Sequence, residues 1–193
     1  VISSLAHLFL VAHAVHRTRL LVMGIPWGRI HVTGAPGRDR FVLPAASREH
    51  VAAALGLDST RSWALVMLHP TTFRPQDAEQ ELAEARVAVG DRQAIWLTPG
   101  NDPGWDWLRE RMIDPRDDIP DDLYPSLLRH LDVMIGNSSA LVVDAPFVGV
   151  KTVEIGKRQE GRDRVLYGDG QSIPRIVNIL QGIDSRLLLC EAS

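Results

Sequence analysis

Cysteine is almost absent, with Cys190 the only one in 193 residues. No intrachain disulfide is possible, Cys190 has no CxxC partner and reads as inert, and a reducing cytoplasm is the natural compartment. A basic excess is also missing. The chain carries 21 Lys and Arg against 24 Asp and Glu, a net charge of −3. That balance argues against nucleic-acid binding, which needs a basic patch or stripe. Long apolar runs are scarce as well. The opening VISSLAHLFLVAHAV lacks a basic start, is broken by His7 and His13, and is too short to cross a membrane, so a buried strand explains it better. It does not begin with Met, as expected of a chain that starts inside a longer reading frame. The histidines show no metal-ligand spacing, so no metal site is expected, and no cofactor is called for. Internal repeats and low-complexity segments are absent.

What is present is globular composition, 45% apolar and 23% charged, in a length that buries one good core, or one domain plus a fragment of another. Short β-branched runs alternate with helical patterns. The spacing predicts strands over 7–11, 29–34, 63–69, 94–98, 132–135 and 152–155. It predicts helices over 14–23, 47–55 (capped by Ser47), 77–89, 105–112, 123–130, 139–147 and 173–180, with an acidic loop over 114–122. Continuous apolar strands separated by helices indicate an α/β fold, a Rossmann-like parallel sheet with helices on both faces. The best boundary is GAPGRDR (34–40), where Pro, Gly and charge interrupt the alternation. Residues 1–36 then form one strand–helix–strand unit, too small to fold alone, and 37–193 form the main domain.

The chemistry gathers in IGNSSALVVDAP (135–146) and GKRQEGR (156–162). In open α/β sheets, ligands bind where strands end and helices begin. Asn137, Ser138 and Ser139 stand at such a point, where polar side chains and helix N–H groups attract phosphate. Asp144, farther along the expected helix, can accept ribose hydroxyls, and Arg158 can pair with a diphosphate in a forked geometry. Each residue alone also has a bland reading. Ser and Asn at a helix start are usually caps, an acid in a helix usually faces water, and a loop Arg is usually a surface charge. The ordered set of strand, GNSS, acid, strand and GxRQxGR is far more specific.

That set, IGNSSALVVDAPFVGVKTVEIGKRQEGR (135–162), closely resembles the nucleotide-binding segment of UDP-N-acetylglucosamine 2-epimerases, most of all the hydrolysing branch. The resemblance continues in MLHPTT (67–72), TPGNDPG (98–104) and the stretch 7–39, so it spans most of the chain but only the carboxyl-terminal half of a family member. It implies a GT-B arrangement of two Rossmann-like domains, of which this chain carries the second and the end of the first. UDP-N-acetylglucosamine or UDP is the implied ligand. Ser138 and Ser139 would hold the diphosphate and Asp144 the uridine ribose, with Asn137 a further UDP-binding residue. Arg158, with Gln159 and Arg162 of the same motif, would make further UDP contacts, and His69 matches the catalytic-site histidine. The implied reaction is elimination of UDP to a glycal, followed by addition of water.

Departures accompany the match. Asp144 replaces the usual Glu, which draws its carboxylate back by one methylene. Ala140-Leu141 is bulkier than the family's small residues, Lys151 replaces a common Pro, and Gly100 stands where Asn is usual. The first domain's catalytic carboxylates have no counterpart here, because Asp117, Asp118, Asp121 and Asp122 read as a solvated loop. Catalysis by the isolated chain is therefore expected to be absent. A homo-oligomer or a missing amino-terminal domain is the expected partner, with no nucleic acid and no membrane. Two other readings stay open, a non-catalytic UDP-binding remnant and, more weakly, the nucleotide domain of a GT-B glycosyltransferase. Trp105 and Trp107 read as packing rather than a uracil wall, and 34–37 as a hinge or a plain turn.

Overall fold

The runs FLV, IHV, WALVM, QAIW, VMIG and KTVE form six strands: β1 (Phe9–Val11), β2 (Ile30–Val32), β3 (Trp63–Met67), β4 (Gln93–Trp96), β5 (Val133–Gly136) and β6 (Lys151–Glu154). The computed structural model describes residues 5–71 and 75–183. Thr72 and Cys190 lie outside the described residues. The helices are α1 (Ala14–Val22), α2 (Arg48–Leu55), α3 (Ala78–Val89), α4 (Trp105–Arg111), α5 (Tyr124–His130), α6 (Ala140–Val143), α7 (Ala145–Val148) and α8 (Ser172–Gly182). Strands and helices thus fall in the expected order, within one to three residues at most ends. Their stops are local. Gly56 ends α2 in the left-handed conformation, and Ser47 Oγ accepts the His50 N–H at 3.2 Å at its start.

The chain divides into two compact units. One comprises the residues up to Leu43 and those from Val165 onward, and the other is Pro44–Arg164. In the first unit β1 and β2 pair in parallel around Phe9, Leu20 and Ile30. The N-terminus of α8 is capped from a distance: Asp39 accepts the Ser172 N–H at 2.9 Å and the Ile173 N–H at 2.6 Å. Gly34, at φ +87°, lies against the Ser172 side chain and the Gly168 backbone, so a Cβ has no room there. The 34–37 stretch is thus a tightly packed turn that leads into a 3-10 helix over Pro36–Val42.

The second unit is a parallel sheet in the order β4-β3-β5-β6. Ala64 and Val66 of β3 pack with Val133 and Ile135 of β5 against Leu82, Ala85, Trp96 and Leu108 on one face. Their neighbours Leu65 and Met134, pointing to the opposite face, are also fully buried. Both faces of the central strands are therefore covered, as the continuous apolar runs require. β6 departs from the expectation, since all four of its residues are exposed. It is an edge strand, and Lys151, Thr152 and Glu154 give that edge the polarity that blunts unwanted strand pairing.

The expected single helix over 139–147 is also corrected. Two four-residue helices, α6 and α7, meet at Asp144. Pro146 has no N–H to give to the carbonyl of Val142, and its ring disfavours helical geometry at the residue before it. The helix therefore breaks and restarts with Pro in its first turn.

Candidate functional site

Gly136 creates the site's geometry. It ends β5 at φ +137°, and a Cβ built on it would overlap the Met67 carbonyl of β3. Only glycine lets the two strand ends approach this closely. The Asn137 N–H then donates to the Met67 carbonyl at 3.1 Å. The Asn137 side chain goes further and acts as an extra strand segment. Its Oδ1 accepts the His69 N–H at 2.7 Å, and its Nδ2 donates to the His69 carbonyl at 2.9 Å. Asn137 is 1% exposed, so this pair satisfies groups that could not otherwise be buried cheaply. It brings together two sequence motifs that are 68 residues apart.

A third motif joins through Gln159, whose Nε2 donates to the Asn137 carbonyl at 2.7 Å while the residue stays buried. The 156–162 loop is also tied at its base. Arg164 grips both carboxylate oxygens of Glu154 at 2.6 and 2.9 Å, which holds the Glu154 carboxyl below its usual range. Within the loop, Arg158 extends to Asp102 at 3.3 Å and remains partly exposed. Arg162 is exposed.

His69 is half-buried, and the Gly100 N–H points at its Nδ1 at 3.4 Å. A backbone donor there places the ring proton on Nε2. Burial lowers the imidazole pKa, the Arg158 charge lowers it further, and Asp102 opposes both. The ring is thus neutral at physiological pH, a hydrogen-bond donor through Nε2 rather than a cation.

Ser138 is buried, and its Oγ accepts the Ala140 N–H at 3.3 Å. Ser139 precedes α6 without capping it and is partly exposed. Both hydroxyls therefore stand on the turn that Asn137 fixes. Asp144 is placed differently. It is 7% exposed and its Oδ2 accepts the Tyr124 hydroxyl at 3.0 Å.

Two contributors escaped sequence reasoning. Tyr124 carried no signal, since it sits in an apolar helix start. Glu81 did carry one. It lies three residues after Ala78 and four before Ala85, on the same face as Leu82, so the α3 pattern placed an acid among apolar positions. Glu81 is buried, and Asn137 Nδ2 donates to its Oε2 at 3.2 Å. Trp107 packs against the core beneath an Arg111 guanidinium 4.5 Å from its ring, as expected of a packing residue. The acidic loop is pinned rather than merely solvated: Asp117 accepts from Thr98 Oγ1 at 2.9 Å and from Arg109 at 3.1 Å. Among the described residues no cluster of His, Cys, Asp or Glu is placed to hold a metal ion, and no helix is long and apolar enough to cross a membrane.

The family model described as UDP-N-acetylglucosamine 2-epimerase matches residues 1–166. A UDP-N-acetylglucosamine 2-epimerase of Neisseria meningitidis serogroup B is 32% identical over 175 residues, covering 83% of this chain and 45% of that protein. A hydrolysing UDP-N,N'-diacetylbacillosamine 2-epimerase of Legionella pneumophila is 30% identical over 179 residues, 84% of this chain and 46% of that protein. The chain thus spans about half the length of these relatives. Among solved structures, a UDP complex of S. aureus MnaA aligns with TM-score 0.67 at 14% identity, over 93% of this chain and 60% of that one. The UDP-GlcNAc 2-epimerase of Methanocaldococcus jannaschii, in complex with UDP-GlcNAc and UDP, aligns with TM-score 0.63 at 16% identity, over 91% of this chain and 61% of that one. At these identities the structural likeness speaks for the fold alone.

Proposed function

Because the chain belongs to the UDP-N-acetylglucosamine 2-epimerase family, we propose that it is the UDP-binding half of such an enzyme, working by the hydrolysing route that yields N-acetylmannosamine and UDP. Residues 37–193 are then the UDP-binding domain and 1–36 the end of a preceding Rossmann-like domain, acting in the cytoplasm with an amino-terminal half or a second copy. The observation that carries the reading is the Asn137 clamp, which sets His69, the Ser138–Ser139 turn and, through Gln159, the Arg158 loop around one point.

The chemistry follows from those groups. Elimination breaks the bond between the sugar's anomeric carbon and the diphosphate oxygen, so negative charge grows on the departing UDP. The Ser138 and Ser139 hydroxyls, the Arg158 guanidinium and the His69 Nε2–H are the donors set to meet it. Because α6 is one turn long, its dipole contributes little, and the side-chain donors dominate. Gln159 orients the turn, and Arg162 adds an exposed cation at the loop's end. Ribose recognition by Asp144 would share its carboxylate between the Tyr124 hydroxyl and the ribose hydroxyls.

A second reading, a UDP binder without catalysis, rests on the same site; the chain spans 45% of its Neisseria relative. No described residue is assigned to take the proton from the sugar's second carbon. Calorimetric titration with UDP tests what both readings share. Binding is expected, and Ser139→Ala or Arg158→Ala should weaken it by tenfold or more. No binding heat at millimolar UDP would sink both. Release of N-acetylmannosamine by the purified chain would decide for the enzyme.

A further inference from the structure

Glu81 is a carboxylate that the α3 pattern sets among apolar positions, and the fold buries it. Its Oε2 receives Asn137 Nδ2 at 3.2 Å, and its Oε1 lies against Gly156, where a Cβ would overlap the carboxylate. One side chain from α3 thus touches both the end of β5 and the start of the loop after β6. Asn137 has two amide hydrogens, and the His69 carbonyl takes the other. The His69 backbone sets which way round the Asn137 amide sits, and the acceptor at Glu81 reinforces that orientation and anchors the amide to α3. A flipped amide would set its oxygen against both the Glu81 carboxylate and the His69 carbonyl, and its NH₂ against the His69 N–H.

We propose that Glu81 is the positioning residue of the diphosphate site: by accepting from Asn137 and seating Gly156, it fixes the His69 backbone and the Ser138–Ser139 turn relative to the Arg158 loop. The proposal rests on the UDP reading above, since the diphosphate is what that arrangement receives. Glu81 touches no substrate itself and acts through Asn137.

The charges around Glu81 give this role a measurable signature. Asp77, just before α3, and Glu84, within it, face Glu81, and Lys157, Arg158 and Glu160 line the same cavity of about 360 Å³ from the loop after β6. Burial raises its pKa, the Asn137 hydrogen bond opposes that, Asp77 and Glu84 add to it, and Arg158 opposes it. A bound diphosphate engages Arg158 and adds negative charge nearby, so Glu81 is expected to take up a proton as UDP binds. A carboxylic acid still offers its carbonyl oxygen to Asn137, so the clamp survives protonation.

The test compares wild type, Glu81→Gln and Glu81→Leu in the full chain. The amide of Gln keeps an acceptor at the same reach, so UDP affinity should stay within about threefold of wild type at neutral pH, whereas Leu removes the acceptor and should weaken UDP tenfold or more. As pH falls, wild-type affinity should rise relative to Glu81→Gln, a difference from which the ligand's own titration cancels. In unliganded wild type, the Asn137 side-chain amide resonances should shift as Glu81 titrates and stay put in Glu81→Gln, a measurement that needs neither UDP nor the Leu variant to be folded. Wild-type affinity in Glu81→Leu, equal weakening in both variants, or Asn137 resonances indifferent to pH would overturn the proposal. Asn137 titration without UDP binding by wild type would overturn the diphosphate site while leaving the Glu81–Asn137 contact standing.

Discussion

The imidazole of His69 shows how one residue's surroundings determine what it can do. Burial and the Arg158 charge favour the neutral ring, so its Nε2–H is a donor over the physiological range. A lowered folded-state pKa means the folded protein binds that proton less readily than the unfolded chain. The stability this contributes is fully present above the unfolded value of 6.5 and is lost as pH falls through the lowered folded value. Glu81 runs the opposite way: its contribution is present below 4.5 and fades as pH rises through its raised folded value. NMR titration should give a His69 midpoint below 6.5, and a midpoint at or above it would contradict the environment described. Asp144 makes a second residue-scale case. Tyr124→Phe removes the hydroxyl that donates to its buried carboxylate, which should cost about 1–3 kcal/mol in urea unfolding. An unchanged midpoint would mean that the bond carries no weight.

At the scale of elements, the strand ends matter more than the helix starts. β3 and β5 pair in register up to Met67↔Gly136, and the site grows from that last rung. Gly136→Ala forces a side chain into the Met67 carbonyl at a backbone angle alanine avoids. About 1–3 kcal/mol of strain is expected, together with a displaced Asn137 turn, so thermal stability and UDP affinity should fall together. Full UDP affinity in that variant would detach the site from the rung. In the first unit, α8 is capped by a carboxylate 133 residues away in sequence. Asp39→Ala should cost about 1 kcal/mol, seen as faster hydrogen exchange in the first turn of α8.

At the scale of the whole chain, the sequence spans about half the length of its relatives. Every group in the Asn137 network lies within Pro44–Arg164, so UDP binding should not need an amino-terminal half. UDP at 100 times its Kd should then stabilise the chain by about 2.7 kcal/mol, read as a rise in Tm that Ser139→Ala should cut by half or more. Turnover is a different matter, because no described residue is assigned to take the proton from the sugar's second carbon. Mixing the chain with UDP-N-acetylglucosamine should leave the sugar unchanged.

The sequence by itself determined the order of strands and helices, the parallel α/β class and the GNSS and GKRQEGR segments, because these depend on local periodicity, turn residues and short-range spacing. Even the break in the 139–147 helix was legible in Pro146. Only the tertiary structure decided which polar groups are buried and what they face. Glu81 shares its helix with Glu79 and Glu84, and composition does not separate them. The fold buries Glu81 against Asn137 and leaves Glu79 and Glu84 exposed. Likewise, Asn137 spends its side chain on the His69 backbone rather than on a helix cap, and Asp144 turns to Tyr124. Such partners lie 20 to 68 residues away. Hydrogen bonding between them depends on chain closure in three dimensions, which no local pattern records.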